Sequence, residues 1–393
     1  MNKKRVLIFS LTYYPRFVGG AEVAIKEITD RLGDLYEFDM ITLRFDRNLP
    51  RLEQIGNVRI FRIGPVWGRD ITPSNLHIVH TLAKYLFVPL GFVKAISLHM
   101  TRKYNALWSM MASYNSFAAL LFKKVHPSVP FLLTLQEGDP IPHIKRRARF
   151  FWSFFKNIFV SANVIQAISQ YLGHFALEMG ATCPIIVVPN GVDFYKFSTT
   201  SSEEDLKQVS HKMQKKDTDI TLITTSRLVI KNGISYVLRA LVHLPSNFKF
   251  VVLGIGPLGQ TLKKEAAILG VEDRVIWLDH ISHTEIPLYL KASDIFVRTP
   301  ISEGFGNSYV EAMACGIPCI ATPVGGILDF IKEGETGLYV DIDNPESIVD
   351  AVMDLVRNPD LVSKIKRQSF EMVKEKYDWD IVAEGMNSVF KSL

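Results

Sequence analysis

Residues 303–318 read Glu303-Gly304-Phe305-Gly306-Asn307-Ser308-Tyr309-Val310-Glu311-Ala312-Met313-Ala314-Cys315-Gly316-Ile317-Pro318. The apolar run Ile295-Phe296-Val297 just before them has the look of a buried strand. Glu303 therefore falls in the loop that leaves a strand. Gly304 and Gly306 permit backbone shapes that a Cβ forbids. Asn307 or Ser308 is suited to cap a helix that carries Glu311 in its first turns. The free N–H groups of such a helix start attract anionic oxygens. One short segment thus offers a loop carboxylate, bare backbone donors and a helical carboxylate. That set suits a ligand with phosphates and several hydroxyls, such as a nucleotide-sugar.

The glycines and the helix that follows set this segment apart from carboxylates on a solvated helix face. It closely resembles the Glu-x7-Glu signature of retaining GT-B glycosyltransferases, the large family 4 group. The resemblance implies that Glu303 holds the donor sugar, that backbone groups at Phe305, Gly306 and Asn307 add contacts, and that Glu311 holds the nucleotide ribose. It covers nearly the whole chain and is strongest from Ser226 to Gly326.

Upstream, Ser226-Arg227-Leu228-Val229-Ile230-Lys231-Asn232-Gly233 follows the apolar run Ile220–Thr225. Arg227 and Lys231 are four apart and can address one anion, although a surface basic pair would read the same way. By resemblance they stabilise the departing diphosphate, so no divalent metal and no other cofactor is expected. Gly254-Ile255-Gly256-Pro257 resembles the family's loop near the nucleotide, and the segment around His280-Ile281 is similar to one that borders the base. Asp279, His280 and His283 lack a complete ligand set, and no metal site is expected there. Thr322-Pro323-Val324-Gly325-Gly326 reads as a structural turn.

In the first half, Gly19-Gly20 follows the first strand candidate without the Gly-x-Gly-x-x-Gly dinucleotide pattern. It is either a plain turn or, as in the family, a place where a diphosphate nears the backbone. Leu133-Thr134-Leu135-Gln136-Glu137-Gly138-Asp139 leaves another strand candidate. Many family members carry a His where Gln136 stands. A Gln orients a hydroxyl but transfers no proton, which agrees with the front-face mechanism proposed for the family, where the leaving phosphate takes the acceptor's proton. Glu137 and Asp139 are either acceptor-side charges or solvated loop acids. Asn190, in Pro189-Asn190-Gly191-Val192-Asp193, matches a family segment and is assigned to the acceptor side.

The chain has 393 residues, 48% hydrophobic and 22% charged, as in a packed globular protein. Its net charge of +5 is uneven. Residues 1–193 hold 23 Lys+Arg against 13 Asp+Glu, and the remainder 22 against 27. The basic half points to an anionic surface or acceptor, and no nucleic-acid motif accompanies it. His143 to Phe159 places cations before aromatics, which suits a helix on an anionic membrane or one whose rings are core. Leu82 to Met100, interrupted by Lys84, Pro89, Lys94 and His99, reads as a buried helix rather than a span. Met-Asn-Lys-Lys-Arg precedes no apolar h-region, so the start does not read as a signal peptide. The three cysteines, Cys183, Cys315 and Cys319, fit a reducing compartment. The expected location is cytoplasmic, peripheral on the inner face of the membrane.

Short apolar runs alternate with amphipathic ones, which predicts parallel sheets covered by helices on both faces. The alternation pauses at Tyr195–Asp219, which reads as a linker region with one surface helix. The expected architecture is GT-B: two Rossmann-like doubly wound domains facing a cleft. They comprise an acceptor domain at 1–197 with 376–393 returning to it, a linker at 198–219, and a donor domain at 220–375. The implied activity is retaining hexosyl transfer from a UDP- or GDP-sugar to a lipid-linked or polysaccharide acceptor in cell-envelope glycan synthesis. Two other readings of the same motifs are a non-catalytic nucleotide-sugar-binding partner and a GT-B nucleotide-sugar epimerase. A phosphorylase relative would need a pyridoxal lysine site, which is not found.

Overall fold

The computed structural model describes residues 3–66 and 76–393. The chain forms two units, Met1–Asn190 with Trp379–Leu393, and Gly191–Asp378. The first is built on β1 Lys4–Phe9, β2 Tyr36–Leu43, β3 Leu52–Ile55, β4 Val58–Ile63, β5 Ala106–Met110, β6 Phe131–Leu135, β7 Val164–Ala167 and β8 Ile185–Val187. Their order is β3-β4-β2-β1-β5-β6-β7-β8, parallel except for the edge pair β3–β4. The second holds β9 Ile220–Thr225, β10 Phe248–Leu253, β11 Val275–Leu278, β12 Ile295–Arg298, β13 Cys319–Ala321 and β14 Leu338–Tyr339. Its order is β11-β10-β9-β12-β13-β14, all parallel.

Both sheets are doubly wound because their strands are apolar on two faces and need cover on both. Val6, Leu7, Ile8 and Phe9 are all buried in β1, and Phe250, Val251 and Val252 in β10. In such sheets the chain order reverses at one point, and the loops that diverge there leave a crevice at the carboxyl ends of the strands. That point lies between β1 and β5 in the first unit and between β9 and β12 in the second.

The helix Trp379–Lys391 joins the first unit's core through Trp379, Met386, Val389 and Phe390. Phe390 packs 5.3 Å from both the Tyr36 and Trp108 rings. Glu203–Lys212, inside the stretch read as a linker, is a helix of the second unit, capped by Ser202.

Two expectations need correction. Leu76–Arg102 is one helix with Pro89 inside it, but it is not buried all round. Phe87 and Ala95 are buried, whereas Leu82, Tyr85, Leu90, Val93 and Met100 are exposed. Residues 143–159 do not form one helix either. They fall across Ile141–Ala148, a 3-10 turn Arg149–Phe151 and Trp152–Val160. Phe155, Ile158 and Phe159 are core, while Phe150 and Phe151 face outward. The break separates rings that seek the core from rings that do not.

Phe390→Ala is expected to cost the first unit about 3–5 kcal/mol, because the cavity left among Tyr36, Trp108 and Phe38 cannot collapse fully. Denaturant unfolding should show one of two transitions moving and the other unchanged.

Candidate functional site

In the second unit the loops after β9 and β12 flank the switch point and are bonded to each other. Ile301 N donates to Lys231 O at 2.8 Å, and Thr299 Oγ1 donates to Gly233 O at 3.0 Å. Gly233 has φ +68°, and a Cβ there would lie 1.9 Å from Thr299 O, so only glycine lets the two loops close. Asn232 Nδ2 donates to Arg227 O at 2.6 Å, and Arg298 Nη2 donates to Asn232 Oδ1 at 2.8 Å. Lys231 sits on this bonded base, and the Arg227 side chain is exposed.

Arg298 ends β12 and is buried. Its guanidinium pairs with Glu303, whose other oxygen accepts from Gly304 N at 3.0 Å. Burial works against ionised Glu303. Arg298, Lys231 and the Gly304 N–H outweigh it, so the carboxyl titrates below its usual range. The Glu303 backbone is held as well. Gly326 N donates to Glu303 O at 3.1 Å, and a Cβ at Gly325 (φ +56°) would lie 1.9 Å from that oxygen. The turn at Thr322–Gly326 is thus structural in a specific way: it clamps Glu303.

The helix carrying Glu311 is Asn307–Ala314. Its N-cap is Gly306, at φ +103°, with no side-chain cap. Asn307 and Ser308 are therefore the first helical residues, not the cap, and the helix start is bare of any cap side chain. Phe305 is buried against Phe330 and Tyr377, so only its backbone can meet a ligand. Glu311 Oε1 lies 3.1 Å from His283 Nε2, and Lys196 Nζ lies 3.2 Å from His283 Nδ1. Gly254 and Gly256 run against the backbone of 226–228, where a Cβ would lie 2.0 Å from Ser226 O or 2.3 Å from Leu228 O. Ile281 is half-buried in the loop after β11. Among the described residues no group of His, Cys, Asp and Glu is placed to hold a metal ion.

In the first unit Gly19 caps the helix Gly20–Leu32. Its N–H already donates to Glu22 Oε2 at 3.0 Å, and Thr12 Oγ1 donates to Glu22 Oε1 at 2.5 Å. The anion at this helix start is the chain's own Glu22. Gln136 and Asn190 meet as an amide pair, with Gln136 Nε2 donating to Asn190 Oδ1 at 3.0 Å. Glu137 is not a solvated loop acid. It is buried, its Oε1 accepts from Ala112 N at 2.6 Å, and its Oε2 has no partner. Burial outweighs the backbone N–H groups and raises its pKa to about 7. Asp139 is exposed, 3.9 Å from Arg147.

Residues 206–372 match the family model described as glycosyl transferases group 1, and residues 18–195 match that of glycosyltransferase family 4. The chain belongs to the family 4 glycosyltransferases. An uncharacterized glycosyltransferase of Methanocaldococcus jannaschii is 24% identical over 98% of both chains. A GDP-mannose-dependent alpha-(1-6)-phosphatidylinositol monomannoside mannosyltransferase of Mycolicibacterium smegmatis is 30% identical over 50% of this chain and 54% of that enzyme. In fold the chain is similar to Anabaena HepE, solved in complex with UDP-glucose (TM-score 0.79, 18% identity, 99% of this chain and 100% of that one). The fold is GT-B.

For this glycosyltransferase the motif reading missed Arg298, Glu22 and His283 as partners of the candidate residues. Arg298 had a signal, a cation closing the apolar run Ile295-Phe296-Val297. Glu22 stands three residues after Gly19, where a capping carboxylate belongs. His283 had none, because its contact with Glu311 joins distant parts of the sequence.

Two outcomes follow. Arg298→Met removes the ion-pair partner of the buried Glu303 carboxylate and should destabilise the second unit by about 3 kcal/mol in denaturant unfolding. Glu137 has a folded pKa near 7 against the ordinary 4.5, so the native state binds more protons than the unfolded one between these values. Its contribution to stability falls as pH rises from 4.5 to 7 and levels off above. Glu137→Gln should gain on the wild type by up to about 3 kcal/mol between pH 5 and pH 8, as read by urea unfolding.

Proposed function

We propose that the enzyme transfers a hexosyl group, with retention of configuration, from a UDP- or GDP-sugar to a lipid-linked or polysaccharide acceptor. The observation that carries this reading is Glu303, held ionised at the switch point beside Lys231 and the bare start of the helix Asn307–Ala314. An ionised carboxylate accepts hydrogen bonds from sugar hydroxyls without a proton to lose. Arg227 and Lys231 offset the charge that develops on the leaving diphosphate, where a preformed cation lowers the barrier most. In this reading those two cations take the place of a divalent metal. Glu311, oriented by His283, holds the ribose.

On the acceptor side, Gln136 is engaged by Asn190 and has no ionisable group, so it orients and does not deprotonate. The leaving phosphate is then the proton's destination. The Mycolicibacterium relative's name gives it a GDP-mannose donor and a lipid acceptor, and HepE was solved with UDP-glucose, which supports a nucleotide-sugar donor and leaves both bases in the proposal.

A peripheral place on an anionic membrane has its own support. Leu82, Tyr85, Leu90, Val93 and Met100 are exposed on the helix Leu76–Arg102, and Phe150 and Phe151 are exposed next to Arg146, Arg147 and Arg149. Exposed rings beside cations suit the headgroup boundary. By length and composition residues Thr81–Arg102 could also cross a bilayer, but Phe87 and Ala95 pack into the first unit.

Incubation with each nucleotide-sugar and a membrane lipid or glycan extract should release nucleotide and yield a glycosylated product of unchanged anomeric configuration. Lys231→Ala should lower kcat by about 10²–10³. Glu311→Ala should instead weaken donor binding. Nucleotide binding with no transfer to any acceptor would favour a non-catalytic partner.

A further inference from the structure

The first unit contains a cavity of about 220 Å³ that the donor chemistry does not use. It opens beside the carboxyl ends of β5 and β6. Its walls are Tyr114, Phe117, Ile144, Phe151 and Phe155, with Ala148 between the last turn of the helix Ile141–Ala148 and the 3-10 turn. Drug-sized ligands occupy about 300–1,000 Å³, so this space takes a segment of a ligand and not a whole saccharide. Aromatic and aliphatic walls select a hydrocarbon segment.

Two polar features qualify that selection. Glu137 lines the cavity, buried, with Oε2 unpartnered. A buried carboxyl oxygen left unpaired in an apolar wall is costly, and a hydrogen-bond donor on the entering molecule would pair with it. Arg147 lines the cavity too, 3.9 Å from Asp139, which also lines it; both side chains are largely in solvent, and Lys84 lies within reach of the Arg147 charge. Arg147, with the charge of Lys84 behind it, offers an anionic headgroup a cation at the mouth of an apolar slot. Tyr85 extends the aromatic rim, 5.1 Å from the Tyr114 ring and 6.5 Å from that of Phe151.

We propose that this cavity binds the hydrocarbon chain of an anionic amphiphile, with the headgroup at Arg147, and so holds the lipid portion of the acceptor. The assignment to an acceptor rests on the transfer reading above. The binding of the amphiphile does not. The occupant is a single chain with an anionic group at its end, for which dodecyl phosphate serves as probe.

Calorimetric titration of the full-length protein with dodecyl phosphate below its micelle concentration tests this directly. Saturable binding is expected, with inorganic phosphate at least about tenfold weaker, since each buried methylene contributes a severalfold gain. Ala148→Trp places an indole in the cavity and should weaken dodecyl phosphate at least about tenfold. Arg147→Glu, at an exposed position that the fold tolerates, should weaken it about fivefold or more. No binding to the wild type would overturn the proposal. So would equal binding to wild type and to both variants, or equal binding of inorganic phosphate, which would leave the headgroup alone as the ligand. If the amphiphile binds as expected but nucleotide-sugars yield no transfer, the cavity stands and the acceptor role falls.

Discussion

The second unit depends on one buried ion pair. Arg298 ends β12 inside the protein, where a guanidinium is costly unless paired. Glu303 answers it five residues later, and Asn232 takes another of its N–H groups. The pair does three things at once. It ties the loop after β12 to the loop after β9, fixes the Glu303 carboxylate, and keeps that carboxylate ionised against its burial. Gly325 and Gly326 then hold the Glu303 backbone from the far side. A carboxylate so constrained loses little entropy when a ligand arrives, which is the condition for strong, oriented hydrogen bonding.

The first unit follows a different logic. Its polar groups near the strand ends are already committed to one another: Glu22 to Gly19 and Thr12, and Gln136 to Asn190. Glu137 differs, with an oxygen to spare and an apolar cavity beside it. The two units thus differ in character: the loops after β9 and β12 are cationic and closely bonded, while the wall beside β5 and β6 is apolar and partly unsatisfied.

Much of this was legible in the chain itself. The apolar runs 220–225 and 295–297 fall on β9 and β12, because parallel strands buried on both faces are continuous in their apolar content. β3 was not legible: Leu52-Glu53-Gln54-Ile55 is short, half-polar and held by its pairing with β4. The helix Leu76–Arg102 misled in another way, since apolar content says how much surface avoids water but not whether protein covers it. Of the candidate site, Glu303, Arg227, Lys231 and Glu311 stood out through glycines and spacing. Gly306, left-handed at φ +103°, stands at the cap in place of Asn307 or Ser308. The burial of Glu137 left no local trace, since its partner Ala112 and cavity walls such as Tyr114, Phe117 and Phe155 are remote from it in sequence.

The central claim is that the loops around Glu303 and Lys231 form a site for a nucleoside diphosphate sugar. Thermal unfolding of the full-length protein against UDP, GDP, ADP and their hexose conjugates measures it most directly, because a ligand of the native state raises the midpoint with its concentration. The account predicts a midpoint rise for one base and for its sugar conjugate, lost in Glu311→Ala. An unchanged midpoint with every nucleotide, at concentrations up to millimolar, would contradict it.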